Sequence, residues 1–182
     1  MLKSEVRERI KRLKLMLDEA EKVSAAQSVF DRLEANAAFQ LAEKILLYHS
    51  LPDELDTRSF LRKWKDRKRF FLPRVNGVNL ELLPYDESRL EIGSFHIEEP
   101  KGDELHPVEE MELIIVPGVA FDKKGRRLGR GKGFYDRLLA DSKASKIGIA
   151  YEFQLMDELP AEEHDIPMDF VITESTTIVI KR

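Results

Sequence analysis

The chain has no cysteine, so disulfide staples, thiolate nucleophiles and cysteine-ligated zinc are excluded together. Long apolar runs are also missing. Nothing approaches the roughly 18 residues that span a bilayer, and the opening MLKSEVRERIKRLKLMLDEAEK carries charge where a signal peptide has its apolar segment. A cytoplasmic protein without membrane attachment is expected. Histidine is scarce: His49, His96, His106 and His164 are the four present, and none has a second histidine four residues away, so a helical zinc-binding pair cannot form. No G-x-S-x-G elbow occurs, which leaves chemistry without a protein nucleophile as the expectation.

What is abundant is charge. Charged residues make up 35% of the 182 and hydrophobic ones 42%, a globular rather than disordered balance, and the length suits one well-buried core spanning residues 1–182. The net charge of -4 is unevenly spread. Lys3 to Lys14 holds six cations against two carboxylates, Arg62 to Arg74 seven against one, and Asp122 to Arg137 seven against two. Three basic clusters on an acidic background imply that an anion is gathered by segments distant in sequence.

Val6, Ile10, Leu13, Leu17 and Ala20 recur at spacings of four and three, which predicts an amphipathic first helix. Ser24 with Gln27 reads as a capping box opening a second helix through Val29, Phe30, Leu33 and Phe39. Short apolar runs follow: KILLYHS, RFFLP, VNLELLPY, MELIIVPG, SKIGIAY, DFVITE and TTIVIK. With helices expected after Thr57 as a cap and from Gly133 to Leu139, they alternate as in an α/β sheet with helical cover. EEPKGDELHPVEEME, residues 98–112, reads as an acidic surface loop.

The third cluster, DKKGRRLGRGKGFYDR, lies just past a predicted buried strand and just before a predicted helix, where ligands gather in open α/β sheets. Gly129, Gly131 and Gly133 alternate, letting backbone approach a ligand closely, and Arg127, Arg130 and Lys132 stand between or beside them as phosphate ligands. The spacing is G-x-G-x-G, which is neither a Walker loop nor a dinucleotide fingerprint. Asp136, one turn into the helix, has the carboxylate type that holds magnesium beside phosphates, and equally the type that favours a helix first turn.

These residues carry a resemblance. VPGVAFDKKGRRLGRGKGFYDR, Val116 to Arg137, resembles the signature of the 5-formyltetrahydrofolate cyclo-ligases, also called 5,10-methenyltetrahydrofolate synthetases, and KSEVRERI, YHSLPDELDT, FFLPRV, IEEP and HDIPMDFVIT continue the likeness in order. The resemblance implies a three-layer α/β fold similar to sugar-phosphate isomerases and CoA transferases. It further implies an enzyme that uses ATP and Mg2+ to convert 5-formyltetrahydrofolate to 5,10-methenyltetrahydrofolate with no protein partner. By position it implies Lys3 and Arg7 on the nucleotide phosphates, and Gly129, Arg130, Gly131, Lys132, Gly133 and Phe134 around the triphosphate. Asp136 would sit on the metal, Glu54 on the pterin, Tyr135 between the substrates, and Arg74 would be a further substrate-side cation. Arg130, Lys132 and Asp136 carry the catalytic charge in that reading. The family often has an aromatic residue before its I-x-E/Q-P element, where this chain has Phe95 and His96.

Two other readings compete. Arg and Gly interleaved with Phe134 and Tyr135 suit a nucleic-acid surface, but a pI near 5.7 does not. A sugar-phosphate isomerase or phosphate-binding regulator would share the fold, though fold alone argues no function.

Overall fold

The computed structural model describes residues 1–93, 97–160, 162 and 165–181. Two helices open it, α1 (Lys3–Leu15) and α2 (Glu19–Glu34), followed by the short α3 (Ala37–Leu41). The break between α1 and α2 comes earlier than the periodicity predicts. Asp18 caps α2 by accepting from Glu21 N at 2.7 Å while Glu21 reaches back to Asp18 N, so Ser24 and Gln27 sit inside the helix and the expected capping box there does not form. An ionised carboxylate at the N-cap also favours the helix dipole, which a Ser cap cannot do.

Strands β1 (Lys44–Leu46), β2 (Arg69–Asn76), β3 (Asn79–Pro84), β6 (Leu113–Val116), β9 (Ser145–Ile149), β11 (Phe170–Ile172) and β12 (Thr177–Val179) form one sheet in the order β12-β11-β9-β6-β1-β2-β3. The five inner strands are parallel, and β3 and β12 close the edges antiparallel. This is the predicted α/β class. Parallel strands covered on both faces read as unbroken apolar runs, and Leu113, Ile114, Ile115 and Val116 are all fully buried. Ile45, Leu47, Leu113 and Ile115 face α2, α3 and α4 (Arg58–Trp64) through Val29, Leu33, Phe39, Phe60 and Leu61, whereas Leu46, Ile114 and Val116 face Phe121, Met168 and α5 (Phe134–Ala140) through Leu139.

Thr57 does not cap α4 with its side chain. Its hydroxyl donates to Tyr48 O at 2.6 Å and accepts from Ser50 N, and Asp56 accepts from Arg58 N instead. Thr57 thereby ties the segment after β1 to the helix start. The acidic 98–112 stretch is less loop-like than its composition: β5 (Glu98–Pro100) pairs with β4 (Leu90–Ile92), and Val108–Glu110 makes a single 3-10 turn.

A small second sheet escapes the sequence pattern because its strands are two or three residues long: β10 (Leu155–Met156), β7 (Ala120–Asp122) and β8 (Arg127–Leu128). The apolar face of α1, Val6 and Ile10, packs on Ala120, Leu128 and Leu159 beside this sheet. The first basic cluster is thus seated against the strands that carry the third.

Candidate active site

The chain turns between β7 and β8 around Asp122. This carboxylate is fully buried, with one oxygen accepting from Lys124 N and Arg126 N at 2.9 Å each and the other accepting from Leu159 N at 2.9 Å. The turn fixes where β8 emerges, and β8 runs directly into the glycine loop. At Gly129 a Cβ would lie 2.9 Å from the Arg127 guanidinium, so a larger residue there would displace that group. Gly133 has φ +73° as it begins α5, a left-handed conformation that side chains rarely adopt.

The loop forms one wall of a cleft of about 500 Å³ at the carboxyl ends of β1, β2 and β6. Lys3, Arg7, Glu54, Gly129, Arg130, Gly131, Lys132, Gly133, Phe134, Tyr135 and Asp136 all line it. Arg74 does not. Its guanidinium donates to Gly102 O at 2.9 Å and meets Glu81 at 3.3 Å, so β2 carries it outside the group that sequence position suggested. Phe95, His96 and His164 lie outside the described residues. A larger concavity of about 760 Å³ lies on the far side of β5, bordered by Tyr85, Arg89 and Lys101. It holds none of the expected residues and mixes charges of both signs, so convergence of chemistry, not volume, singles out the first cleft.

Arg127 lies at the floor. Its side chain is 7% exposed, Nη1 donates to Pro117 O at 2.9 Å, Nη2 stands 3.4 Å from Asp136 Oδ1, and its plane approaches the Tyr135 ring. Burial pulls its pKa down, while Asp136 and Tyr135 pull the other way. A desolvated cation whose contact with Asp136 is long at 3.4 Å, with Asp165 adding a weaker pull, leaves positive potential directed at the cleft. Arg7 Nε donates to Gly129 O at 3.0 Å and pins α1 to the loop, and Lys3 pairs with Glu162 at 2.7 Å.

On the opposite wall Glu54 follows β1. Its Oε1 accepts from Leu51 N at 2.9 Å, and burial raises its pKa against the opposing pull of that N–H and of Arg130. Tyr48 is buried and Tyr135 partly buried near it, and both phenols are pushed up by desolvation first and by the Glu54 charge second. Both hydroxyls therefore stay protonated as donors. His49 also lines this wall, with burial lowering its pKa and Glu98 at 3.6 Å opposing that.

A nucleotide and magnesium fit these residues. The loop brings backbone to the cleft at Gly129, Gly131 and Gly133, the last two at positive φ, cations line the same cleft, and Asp136 offers a half-exposed hard oxygen at its edge. Among the described residues no group of three or more His, Asp or Glu could hold a metal ion, so an ion there needs oxygens from a bound phosphate as well.

Sequence reasoning left six polar lining residues unassigned: Tyr48, His49, Glu98, Glu99, Glu162 and Asp165. His49 stood in a quoted segment, YHSLPDELDT, but a lone histidine carries no spacing signal. Among the described residues, no helix is long and apolar enough to cross a membrane.

Comparison with known proteins places this arrangement. The 5-formyltetrahydrofolate cyclo-ligase family matches residues 1–174. The 5-formyltetrahydrofolate cyclo-ligase of Escherichia coli (strain K12) is 38% identical over 145 residues, covering 74% of this chain and 80% of that protein. The NMR structure of Aquifex aeolicus 5,10-methenyltetrahydrofolate synthetase superposes with a TM-score of 0.91 at 36% identity, covering 100% of this chain and 94% of the other. A 5,10-methenyltetrahydrofolate synthetase from Mycoplasma pneumoniae gives 0.78 at 26% identity, with 96% and 99% covered. The chain is an enzyme that belongs to the 5-formyltetrahydrofolate cyclo-ligase family.

Proposed function

We propose that this enzyme converts 5-formyltetrahydrofolate to 5,10-methenyltetrahydrofolate in the cytoplasm, consuming ATP with magnesium and releasing ADP and phosphate. One observation supports it most: a buried carboxylate, Glu54, and a cationic glycine loop ending at Asp136 line the same cleft. A reduced pterin presents ring N–H donors, and Glu54 with one oxygen committed to Leu51 N has the other to accept them.

The formyl group of the substrate is amide-like, and its oxygen is a poor leaving group. Transfer of the ATP γ-phosphoryl to that oxygen turns it into a good one: the O–P bond forms as the bond to the ADP oxygen breaks. N10 then attacks the formyl carbon, the C–O bond breaks, phosphate leaves with the electron pair, and N10 loses its proton. Arg130, Lys132 and the loop N–H groups from Gly129 to Phe134 bind and orient the triphosphate, joined by Lys3 and Arg7 from α1. Arg127 holds positive charge beneath the loop, where the charge of the moving phosphoryl accumulates. Asp136 would hold magnesium, which would supply Lewis-acid stabilisation of the charge on the transferring phosphoryl group. Tyr135, partly buried and protonated, separates the two substrates.

The test is direct. Folded protein mixed with ATP, Mg2+ and 5-formyltetrahydrofolate should produce the absorbance of methenyltetrahydrofolate in proportion to enzyme. No gain with either nucleotide or folate in excess would reject the reaction.

A further inference from the structure

Asp53 and Glu54 are consecutive carboxylates with opposite environments. Glu54 points into the cleft with its side chain 13% exposed, whereas Asp53 stands on the rim at 45%. Between them lies Arg130 of the glycine loop. Its Nη2 meets Asp53 Oδ1 and Oδ2 at 3.3 and 3.2 Å and remains 4.0 Å from Glu54 Oε2. A third group completes the arrangement: Lys14 of α1, 9% exposed, reaches Asp53 Oδ2 at 3.3 Å.

Consider what Arg130 would do without Asp53. The next carboxylate within reach is Glu54, and its pocket is drier, so a guanidinium moving there gains a stronger pair. That pair would occupy the acceptor needed for the pterin and would remove a cation from the phosphate loop. One side-chain rotation would disable both halves of the cleft.

We infer that Asp53 is a positioning residue that holds Arg130 on the cleft rim and keeps it from pairing with Glu54, so that folate and nucleotide sites remain available together. Contact through Nη2 alone leaves Nε and Nη1 to face an incoming phosphate. Lys14, by sharing Asp53's charge, keeps that hold loose enough for Arg130 to turn toward the phosphate. Burial alone would raise the Asp53 carboxyl, but Lys14 and Arg130 outweigh it and hold it below the usual range, so the anchor is charged wherever the enzyme works.

The inference rests on the folate and nucleotide assignment above, and its test has an arm that does not. In ligand-free protein, carboxyl NMR follows the titration of Glu54 in wild type, Asp53→Asn, Arg130→Gln and the double variant, with Asp53→Ser as a second replacement. Tyr48, Tyr135 and Lys14 face Glu54 identically in all of them. Losing Asp53's repulsion lowers the Glu54 pKa in either background. Capture by Arg130 adds to the fall only where Arg130 is present, so the fall should be about twice as large with Arg130 as without it. Equal falls in the two backgrounds overturn the inference.

The second arm titrates the same proteins with 5-formyltetrahydrofolate in the absence of nucleotide. Asp53→Asn should weaken binding about 5-fold, and adding Arg130→Gln should restore it to within about 2-fold of Arg130→Gln alone. A residue that merely supports the fold would show no such rescue, and its absence also overturns the inference. If wild type itself fails to bind the folate, the substrate assignment falls while the carboxyl titration still decides the exchange of partners.

Discussion

Two aspartates bracket the glycine loop, and they differ in almost every physical respect. Asp122 is fully buried and accepts three backbone N–H bonds that hold the turn before β8 and the segment at Leu159. Asp136 is 43% exposed on its side chain and has one long contact, with Arg127 at 3.4 Å. The first has spent its hydrogen-bonding capacity on the chain itself. The second retains most of its capacity, beside the largely buried guanidinium of Arg127. A carboxylate saturated by backbone fixes geometry, and a carboxylate left half open can take a ligand.

The comparison predicts separable losses. Asp136→Ala should lower turnover at least about 10²-fold, the scale of one lost transition-state charge partner, while the thermal midpoint stays near wild type. Near-normal turnover would remove Asp136 from the chemistry and erase the contrast. Asp122→Asn should do the reverse: with one carboxylate oxygen replaced by a donor, it leaves Leu159 N or the Lys124 and Arg126 N–H pair unsatisfied, costing about 3 kcal/mol of stability. Denaturant unfolding measures this, and turnover of the folded fraction should change less than for Asp136→Ala.

A smaller effect sharpens the same distinction across the cleft. Glu54→Gln keeps the acceptor on one side but removes the charge, so the KM for the folate should rise about 10-fold with little change for ATP, within the range for a charged hydrogen bond. The reverse pattern would move Glu54 to the nucleotide side.

Much of this was legible in the letters because it rests on short-range physics. The unbroken apolar run at Leu113 to Val116 and the short SKIGIAY segment announced strands of an α/β sheet, and the alternating glycines announced a loop whose backbone can approach a ligand closely. The misplaced second cap shows the limit. Ser24 and Asp18 are both good caps, and the reciprocal bonds between Asp18 and Glu21 place the start of α2 at the earlier one. Arg74 fails for a related reason: cation type is visible in sequence, but the direction of a side chain from β2 depends on register with Glu81 across the hairpin. The Asp53 to Arg130 contact joins residues 77 positions apart, and no local pattern encodes it.

The acidic segment after β5 offers a control for the basic loop, because Glu104 and Glu110 pair with His106 of the same segment and Glu110 also meets Lys44 of β1 at 3.4 Å. His106 lies between Glu110 and Glu104, each at 2.8 Å, with its ring edge on Phe71. Hydrogen bonds to Glu110 and then Glu104 raise the His106 pKa, and the His106 bond lowers that of Glu110. A histidine with a raised folded pKa contributes stability that is complete below its unfolded value, about 6.5, and is lost as pH climbs through the folded value. The lowered Glu110 contributes above its own unfolded value, about 4.3, and loses it as pH falls. Both contributions coexist only between those limits. The melting-temperature gap between wild type and His106→Gln should therefore be widest near pH 5 to 6 and should narrow toward pH 8, leaving only the pH-independent loss of packing on Phe71. Because these side chains border solvent, the gap is the smallest effect predicted and should shrink further in high salt. A gap that instead widened with rising pH would mean that His106 acts as a neutral hydrogen-bonding group, leaving Lys44 as the cation that faces Glu110.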